Sequence, residues 1–366
     1  MLLSPQDIKN LKSLKKNTLN LSDNDVLKFY QEIVKYDNVS KYLTPQLAEL
    51  LVKVGDGKTQ VLSRLSGWSK ESLNALSTDL KSNAKFAEAF IDGLKTKPEL
   101  VESWKYISDI KTSGKSKLTQ DIDLMKVVQR QRNNGIVDKI GSNKYDDIIK
   151  NYAGQCKGCD APAYNSTESV KHLPPHDEML DNLETFVNKH YGKDGVTKVL
   201  DDLKSSDPRK QKGAEFVSRI LKDQDDVSAF EFKYLDDYDN TADFVLNGKN
   251  IDGKSWAVSG SIDKIGGWEF PKQLKDYLNN GSFEQWFDYS RFQKSTNATY
   301  SSMTKTDATK HIKEQYQKLF SKNNYAAYKK LRESNWLKNN DIIEESDFIE
   351  AVNDISDDFY SFIKVK

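Results

Sequence analysis

Cysteine is almost missing from this chain. Cys156 and Cys159 are the only two among 366 residues, so no disulfide framework holds the fold. Net charge is missing as well: 55 Lys+Arg balance 55 Asp+Glu. That balance excludes a generically basic nucleic-acid coat, although a local basic groove is compatible with a neutral total. No run approaches the roughly 18 consecutive apolar residues of a membrane-spanning helix. The opening, MLLSPQDIKNLKSLKK, has neither a long apolar stretch after a basic region nor a small-residue cleavage site, so it is not a usual secretory signal. The expectation is a cytoplasmic chain, one that leaves by a route reading no such signal, or a piece of something larger. There is no glycine-rich phosphate loop, Gly266-Gly267 being an isolated turn pair, and no Ser-His-Asp arrangement can be singled out. No repeat of fixed period is found.

With 37% hydrophobic and 30% charged residues, the chain is not disordered, and its length suffices for two domains with separate cores. Residues 1–150 read as helical. Ser22-Asp-Asn-Asp opens a run with Val26, Leu27, Tyr30, Ile33 and Val34 at helical spacing. Pro45 opens PQLAELLVKV, which Gly55 closes; Ser69 to Leu80, the stretch after Pro98, and Asp121 to Arg132 repeat the pattern. These apolar stripes are core, with no catalytic cluster among them. Residues 151–206 form a connector with a Cys/His-containing stretch and a helix from Glu178 to His190. Ser-Ser-Asp-Pro near Pro208 marks the boundary to 207–366. Past it come a helix, Lys210 to Lys222, a strand from Ala229 to Leu235, a hairpin, and a helix from about Pro271 to Leu278. Helical residues dominate again from Asp307. From Asp207 onward 24 Lys+Arg face 27 Asp+Glu, and Asp341 to Asp358 holds eight acids without one Lys or Arg. That stretch reads as a solvated helix face; a surface for a basic partner is the alternative. The arrangement is α+β rather than a repeating βαβ fold.

The most informative stretch is TADFVLNGKNIDGKSW, Thr241 to Trp256. Asn-Gly between two short apolar runs signals a two-residue hairpin turn, in which both turn residues take positive φ. With Asn247 and Gly248 in the turn, Leu246 pairs with Lys249, Val245 with Asn250 and Phe244 with Ile251. Asp243 then lies opposite Asp252. Lys254, two residues on, projects from the same face as Asp252, while Phe244, Leu246 and Ile251 enter a core. Two carboxylates face to face repel unless a cation lies between them. Magnesium, or manganese, prefers such hard oxygen ligands and fills its other positions with water. Glu215, on the preceding helix KGAEFVSRILK, is placed to reach the pair. Lys254 would hold or activate a metal-bound water, and Asn250 would contact water or phosphate. Trp256 supports the site or stacks on a base, core packing being the commoner role.

These residues resemble the PD-(D/E)XK nuclease superfamily. Asp243, the hairpin and Asp252-Gly253-Lys254 look like its D…(D/E)-x-K signature, and Glu215 matches the acid many members carry on the first core helix. Gln273-Leu-Lys-Asp-Tyr277 matches the Q-x-x-x-Y element of RecB-type members, whose Gln and Tyr border the nucleic acid. Ala242 stands where many members have proline, and Asp252 where glutamate is commoner. The likeness covers about Lys210 to Phe292. It implies a restriction-endonuclease-like α/β/α core with a mixed sheet over 207–366, and Mg²⁺-dependent hydrolysis of nucleic acid, DNA before RNA. The wider order of helical segments, KPELVESWKYI, GQCKGC and a terminal hairpin resembles C-terminal regions of bacterial polymorphic toxins. That implies a pre-toxin or delivery region over 1–150, delivery into target cells without a usual signal peptide, action in the target cytoplasm, and a cognate immunity protein as partner. An RNase or tRNase toxin on the same scaffold and a non-enzymatic helical interaction protein are the rival readings.

Cys156, Cys159, His172 and His176 carry the spacing C-x₂-C-x₁₂-H-x₃-H of a tetrahedral zinc site. Pro174-Pro175 breaks the helix that a zinc finger would use, and Ala163 and Ser169 fill its apolar core positions. A different zinc loop and a free cysteine pair beside surface histidines both stand. FEQWFDYSRF, Phe283 to Phe292, reads as a buried helix, and Lys272, Lys275 and Arg291 as phosphate contacts or a solvated face. Elemental analysis of the purified protein separates the two readings of the Cys/His set: one zinc per chain supports the loop, and none removes it.

Overall fold

Short polar side chains open the helices of the first half where the sequence places them. In the computed structural model, which describes residues 22–110, 118–155, 176–232, 242–254, 283–289, 293–296, 299–302, 304–322, 344, 346 and 363–366, Ser22 caps α1 (Asp23–Ile33) by accepting from the Asp25 amide at 3.2 Å. After α2 (Asp37–Lys41), Thr44 caps α3 (Pro45–Val54), with the proline in the first turn and Gly55 at its end. Then follow α4 (Lys58–Leu65), α5 (Lys70–Ser82) behind Ser69, α6 (Ala84–Thr96) behind Asn83, α7 (Leu100–Asp109) and α8 (Ile122–Asn133) behind Asp121. Each such cap satisfies a backbone donor the first turn leaves open, a contribution of about 1 kcal/mol. The apolar stripes meet in a core of buried leucines, valines and aromatics. Trp104 lies at its centre, stacked on Trp68 at 5.5 Å between ring centroids. Its indole N–H donates to the buried Asp79 at 3.1 Å, so both polar groups are satisfied inside.

The chain divides into two compact units, Met1–Val137 and Asp138–Lys366. The second contains α10 (Ser142–Gln155), α11 (His176–His190), α12 (Val196–Leu203) and α13 (Pro208–Leu221), with α9 (Ile136–Ile140) at the division. Among the described residues seven strands follow: β1 (Val227–Phe232), β2 (Ala242–Leu246), β3 (Lys249–Lys254), β4 (Phe283–Phe287), β5 (Gln293–Thr296), β6 (Thr299–Ser302) and, after α14 (Lys305–Lys322), β7 (Ile363–Val365). The five-stranded sheet runs in the order β1-β2-β3-β4-β7. β1, β2 and β3 are antiparallel neighbours, whereas β3–β4 and β4–β7 are parallel. β5 and β6 form a separate hairpin. The fold is α+β with a mixed sheet.

Two expectations are corrected. FEQWF is strand β4, not helix, and lies between β3 and β7. A short aromatic run carries no decisive period, and aromatics suit a pleated surface with neighbours on both sides. The helical tail is helical over α14 but returns to the sheet as β7, whose three residues carry no strand signal of their own. The hairpin, by contrast, has the expected register, with Phe244 opposite Ile251, Val245 opposite Asn250 and Leu246 opposite Lys249. Asn247 at φ 51° and Gly248 at φ 74° make the turn.

Helix α11 joins the sheet through aromatic contacts: Phe186 meets Phe230 edge-on at 5.4 Å, and His190 meets the same ring at 5.4 Å. His190 is fully buried, and its Nε2 lies 2.8 Å from the Leu221 carbonyl at the end of α13. A carbonyl only accepts, so Nε2 carries the proton. Nδ1 is buried with no hydrogen-bond partner among the described residues. Burial, helped by the Lys193 and Lys189 charges, lowers the His190 pKa against the opposing effects of the Leu221 carbonyl and Asp225. A lowered folded value means the unfolded chain takes up the proton first. Stability is therefore intact above the ordinary histidine value of 6.5 and declines as the pH falls below it. Thermal melts at pH 7.5 and 5.5 should show an acid-dependent loss of Tm that shrinks in His190→Gln, whose amide can still donate to the Leu221 carbonyl.

Candidate active site

The β2–β3 hairpin is not an exposed ribbon. β3 is an interior strand, paired on one side with β2 and on the other with β4. Along β2, Ala242, Phe244 and Leu246 are buried while Asp243 and Val245 are half-buried, the alternation expected of a strand with one face in a core. Phe244 meets Trp286 of β4 edge-on at 5.4 Å. One step beyond the last paired residues, the same register sets Asp243 across from Asp252.

The surroundings of the two carboxylates differ. Asp243 is half-buried, and its Oδ2 accepts from the Gly253 amide at 2.5 Å. Asp252 is buried, only 5% exposed, and its Oδ2 accepts from Nε2 of the fully buried Gln285 at 3.3 Å. A carboxylate that far from water is costly unless hydrogen-bonded or joined by a cation. Asn250 is half-buried on the same strand, and Lys254 ends β3 in register with Phe287.

Glu215 is buried on α13, 7% exposed, in the helix that also carries Phe216. A Cβ built on Gly253 would come within 3.1 Å of the Phe216 ring and 3.2 Å of Asp243 Oδ2. The glycine between Asp252 and Lys254 thus lets α13 and the Asp243 carboxylate approach the strand backbone. Arg219, one turn beyond Glu215, fixes the same helix to the end of β4: its Nη2 lies 2.6 Å from Oδ1 of the buried Asp288, and its guanidinium stacks 5.6 Å from the Phe216 ring centroid. The buried Glu215 and the hairpin are in this way carried by elements that touch.

Two of the residues around the acids, Gly253 and Gln285, had no role in the sequence reading. A glycine inside a strand is a recognised sign of close backbone approach, so Gly253 was open to discovery. Gln285 was not, because a run read as helix cannot be registered against β3. Gln273, Tyr277 and Trp256 lie outside the described residues, as do Lys272, Lys275, Cys156, Cys159, His172 and Arg291. His176 is the first residue of α11. Among the described residues no group of three or more His, Cys, Asp or Glu side chains is close enough to share an ion. Two carboxylates remain adequate for magnesium, which commonly takes one or two from protein and keeps several waters.

Comparison of the chain with protein-family models, with curated proteins and with solved structures gave no match.

Two substitutions test how the site is held. Gly253→Ala forces a methyl against Phe216 and Asp243 and should destabilise by about 1–3 kcal/mol, the usual range for overpacking. Arg219→Ala leaves the Asp288 carboxylate buried without its guanidinium and should cost about 3–5 kcal/mol. Urea unfolding monitored by tryptophan fluorescence measures both. A Gly253→Ala midpoint equal to that of the parent would show that the backbone has room to spare.

Proposed function

We propose that the chain is a magnesium-dependent nuclease that hydrolyses phosphodiester bonds, of DNA before RNA, and that it acts as a toxin effector neutralised by an immunity protein. The observation that carries the catalytic part is the register of the hairpin, with Asp243 and the buried Asp252 as cross-strand neighbours on an interior strand. Like charges so placed are destabilising on their own. A divalent cation between them would offset that repulsion. The finer fold reading, a restriction-endonuclease-like α/β/α core, is supported by the order α13, β1, β2, β3, β4, in which an antiparallel hairpin adjoins a parallel pair. Parallel neighbours need a crossover rather than a tight turn. Residues 255–282, which include Trp256, Gln273 and Tyr277, are long enough for one.

Asp243 and Asp252 would hold the ion directly, and Glu215, which does not complete a three-carboxylate group with them, would assist only through a water of its shell. When bound, it supplies positive charge to the pentavalent transition state and a more acidic water. The remaining work falls to the chain. The Gly253 amide and the Gln285 amide each fix one carboxylate oxygen, so the acids need not reorganise during the reaction. Lys254 holds the attacking water or neutralises charge as it develops. Asn250 holds a water or a phosphate oxygen, and the sequence resemblance implies that Gln273 and Tyr277 border the substrate. The toxin role and the immunity partner rest on the sequence resemblance.

Incubation with supercoiled plasmid and with tRNA, each in Mg²⁺ and in EDTA, separates a DNase, an RNase and a non-enzymatic protein. The expected outcome is Mg²⁺-dependent nicking of plasmid. Asp252→Asn and Lys254→Ala should each lower that rate by at least about 10²-fold, the scale of a lost proton-transfer or charge-stabilising group, with the circular-dichroism spectrum unchanged. Full activity in either variant overturns the mechanism.

A further inference from the structure

Positive charge collects at another part of the same sheet, where Lys305, Lys364 and Lys366 lie near the ion pair of Lys249 and Glu284. Lys249, which opens β3, pairs with Glu284 of β4, Nζ to Oε1 2.7 Å. The Trp286 indole N–H donates to the other oxygen of Glu284 at 2.8 Å. Lys364 of β7 is in register with Trp286, and the Lys366 ammonium stands 4.2 Å above the Trp286 ring. Lys305 opens α14, which packs on β7. Strand alternation places Lys249, Glu284, Trp286 and Lys364 on one face, and Asp252 with Gln285 on the other.

Glu284 carries one negative charge among the four ammonium groups of Lys249, Lys305, Lys364 and Lys366. Burial works against a charged Glu284, yet the Lys249 and Trp286 hydrogen bonds and the Lys249 and Lys364 charges outweigh it and hold the pKa below the usual carboxylate value. Burial, then the Lys305 and Lys364 charges, push the Lys366 ammonium below the usual lysine value, and Glu284 offsets them only in part. Lys305 also occupies the first turn of α14, where the helix dipole already presents positive charge. Asp307, the acid of that turn, is taken up with the capping Thr304, 2.9 Å away. From Lys305 the surface continues along α14 over an open groove of about 640 Å³ bordered by Thr306, Lys310, Lys313 and one acid, Glu314, whose Oε1 lies 4.0 Å from the Lys310 ammonium. Lys249, Lys305, Lys310 and Lys366 are exposed.

Lysine, a threonine hydroxyl and a helix N-terminus form the donor set that proteins turn to phosphate oxygens. We propose that this surface is a second, non-catalytic site that grips the phosphodiester backbone of a nucleic acid, on the sheet face away from Asp252. The site goes beyond the proposed hydrolysis and does not depend on it, since phosphate contacts need neither the metal nor bond cleavage.

The test is binding of a fluorescein-labelled 20-bp DNA duplex to the full chain in EDTA, by anisotropy at stepped NaCl. The variants are Lys305→Gln/Lys310→Gln/Lys366→Gln and the matching triple Arg variant. The Gln variant should bind about tenfold or more weakly at low salt, with a log–log salt slope shallower by about 2–3, close to one per lost phosphate contact. The Arg variant should restore both. An unchanged affinity and slope in the Gln variant overturns the site. Poly-glutamate that competes with the duplex as well as unlabelled DNA does would overturn the nucleic-acid assignment in favour of an acidic protein partner. Duplex binding by a parent chain that shows no Mg²⁺-dependent nicking of plasmid would strike the hydrolysis alone.

Discussion

An aspartate side chain removed from water in the middle of a sheet constrains everything around it. Asp252 sits on β3, which is hydrogen-bonded to strands on both sides, so its backbone cannot move to solvent without breaking the sheet. The Gln285 amide answers one of its oxygens, and the hairpin register brings Asp243 alongside. A stability argument alone would favour an apolar residue there, because buried charge gains little over a hydrophobic replacement. The sheet keeps the acid, holds its neighbours rigid, and thereby pre-orients oxygen ligands.

Rigidity comes from helix α13 and strand β4 acting on β3 together. Phe216 closes on Gly253 because that residue has no side chain, and the Arg219–Asp288 pair ties the helix to the strand beyond. On the same side His190 seals the joint between α11, α13 and β1, with a ring nitrogen that tolerates no second proton without rearrangement. Acid therefore acts on the scaffold of the site through a residue remote from the carboxylates.

Charge is sorted by strand alternation. Because successive residues of β3, β4 and β7 point to opposite faces, Asp252 and Lys254 lie on one side and Lys249, Glu284 and Lys364 on the other. The two arrays lie on the same rigid support without cancelling each other. A neutral total charge hid both, and a mixed sheet separated them.

Features governed by near neighbours were legible in the residues. Helix starts at Ser22, Thr44, Ser69 and Asp121 depend on a side chain and an amide three positions apart, and the Asn247-Gly248 turn depends on two adjacent φ values. The facing of Asp243 and Asp252 follows from that turn by counting. What needed the folded chain were pairings between distant segments. FEQWF became a strand only because β3 and β7 flank it, which is also how Gln285 reached Asp252 across 33 positions. The lysine surface joins residues near 249, 305 and 365, and no local pattern links them. Local hydrogen bonds and steric limits act within a few residues and are written in order along the chain, whereas parallel pairing and the meeting of remote charges arise only when loop closure has been offset by burial of a common core.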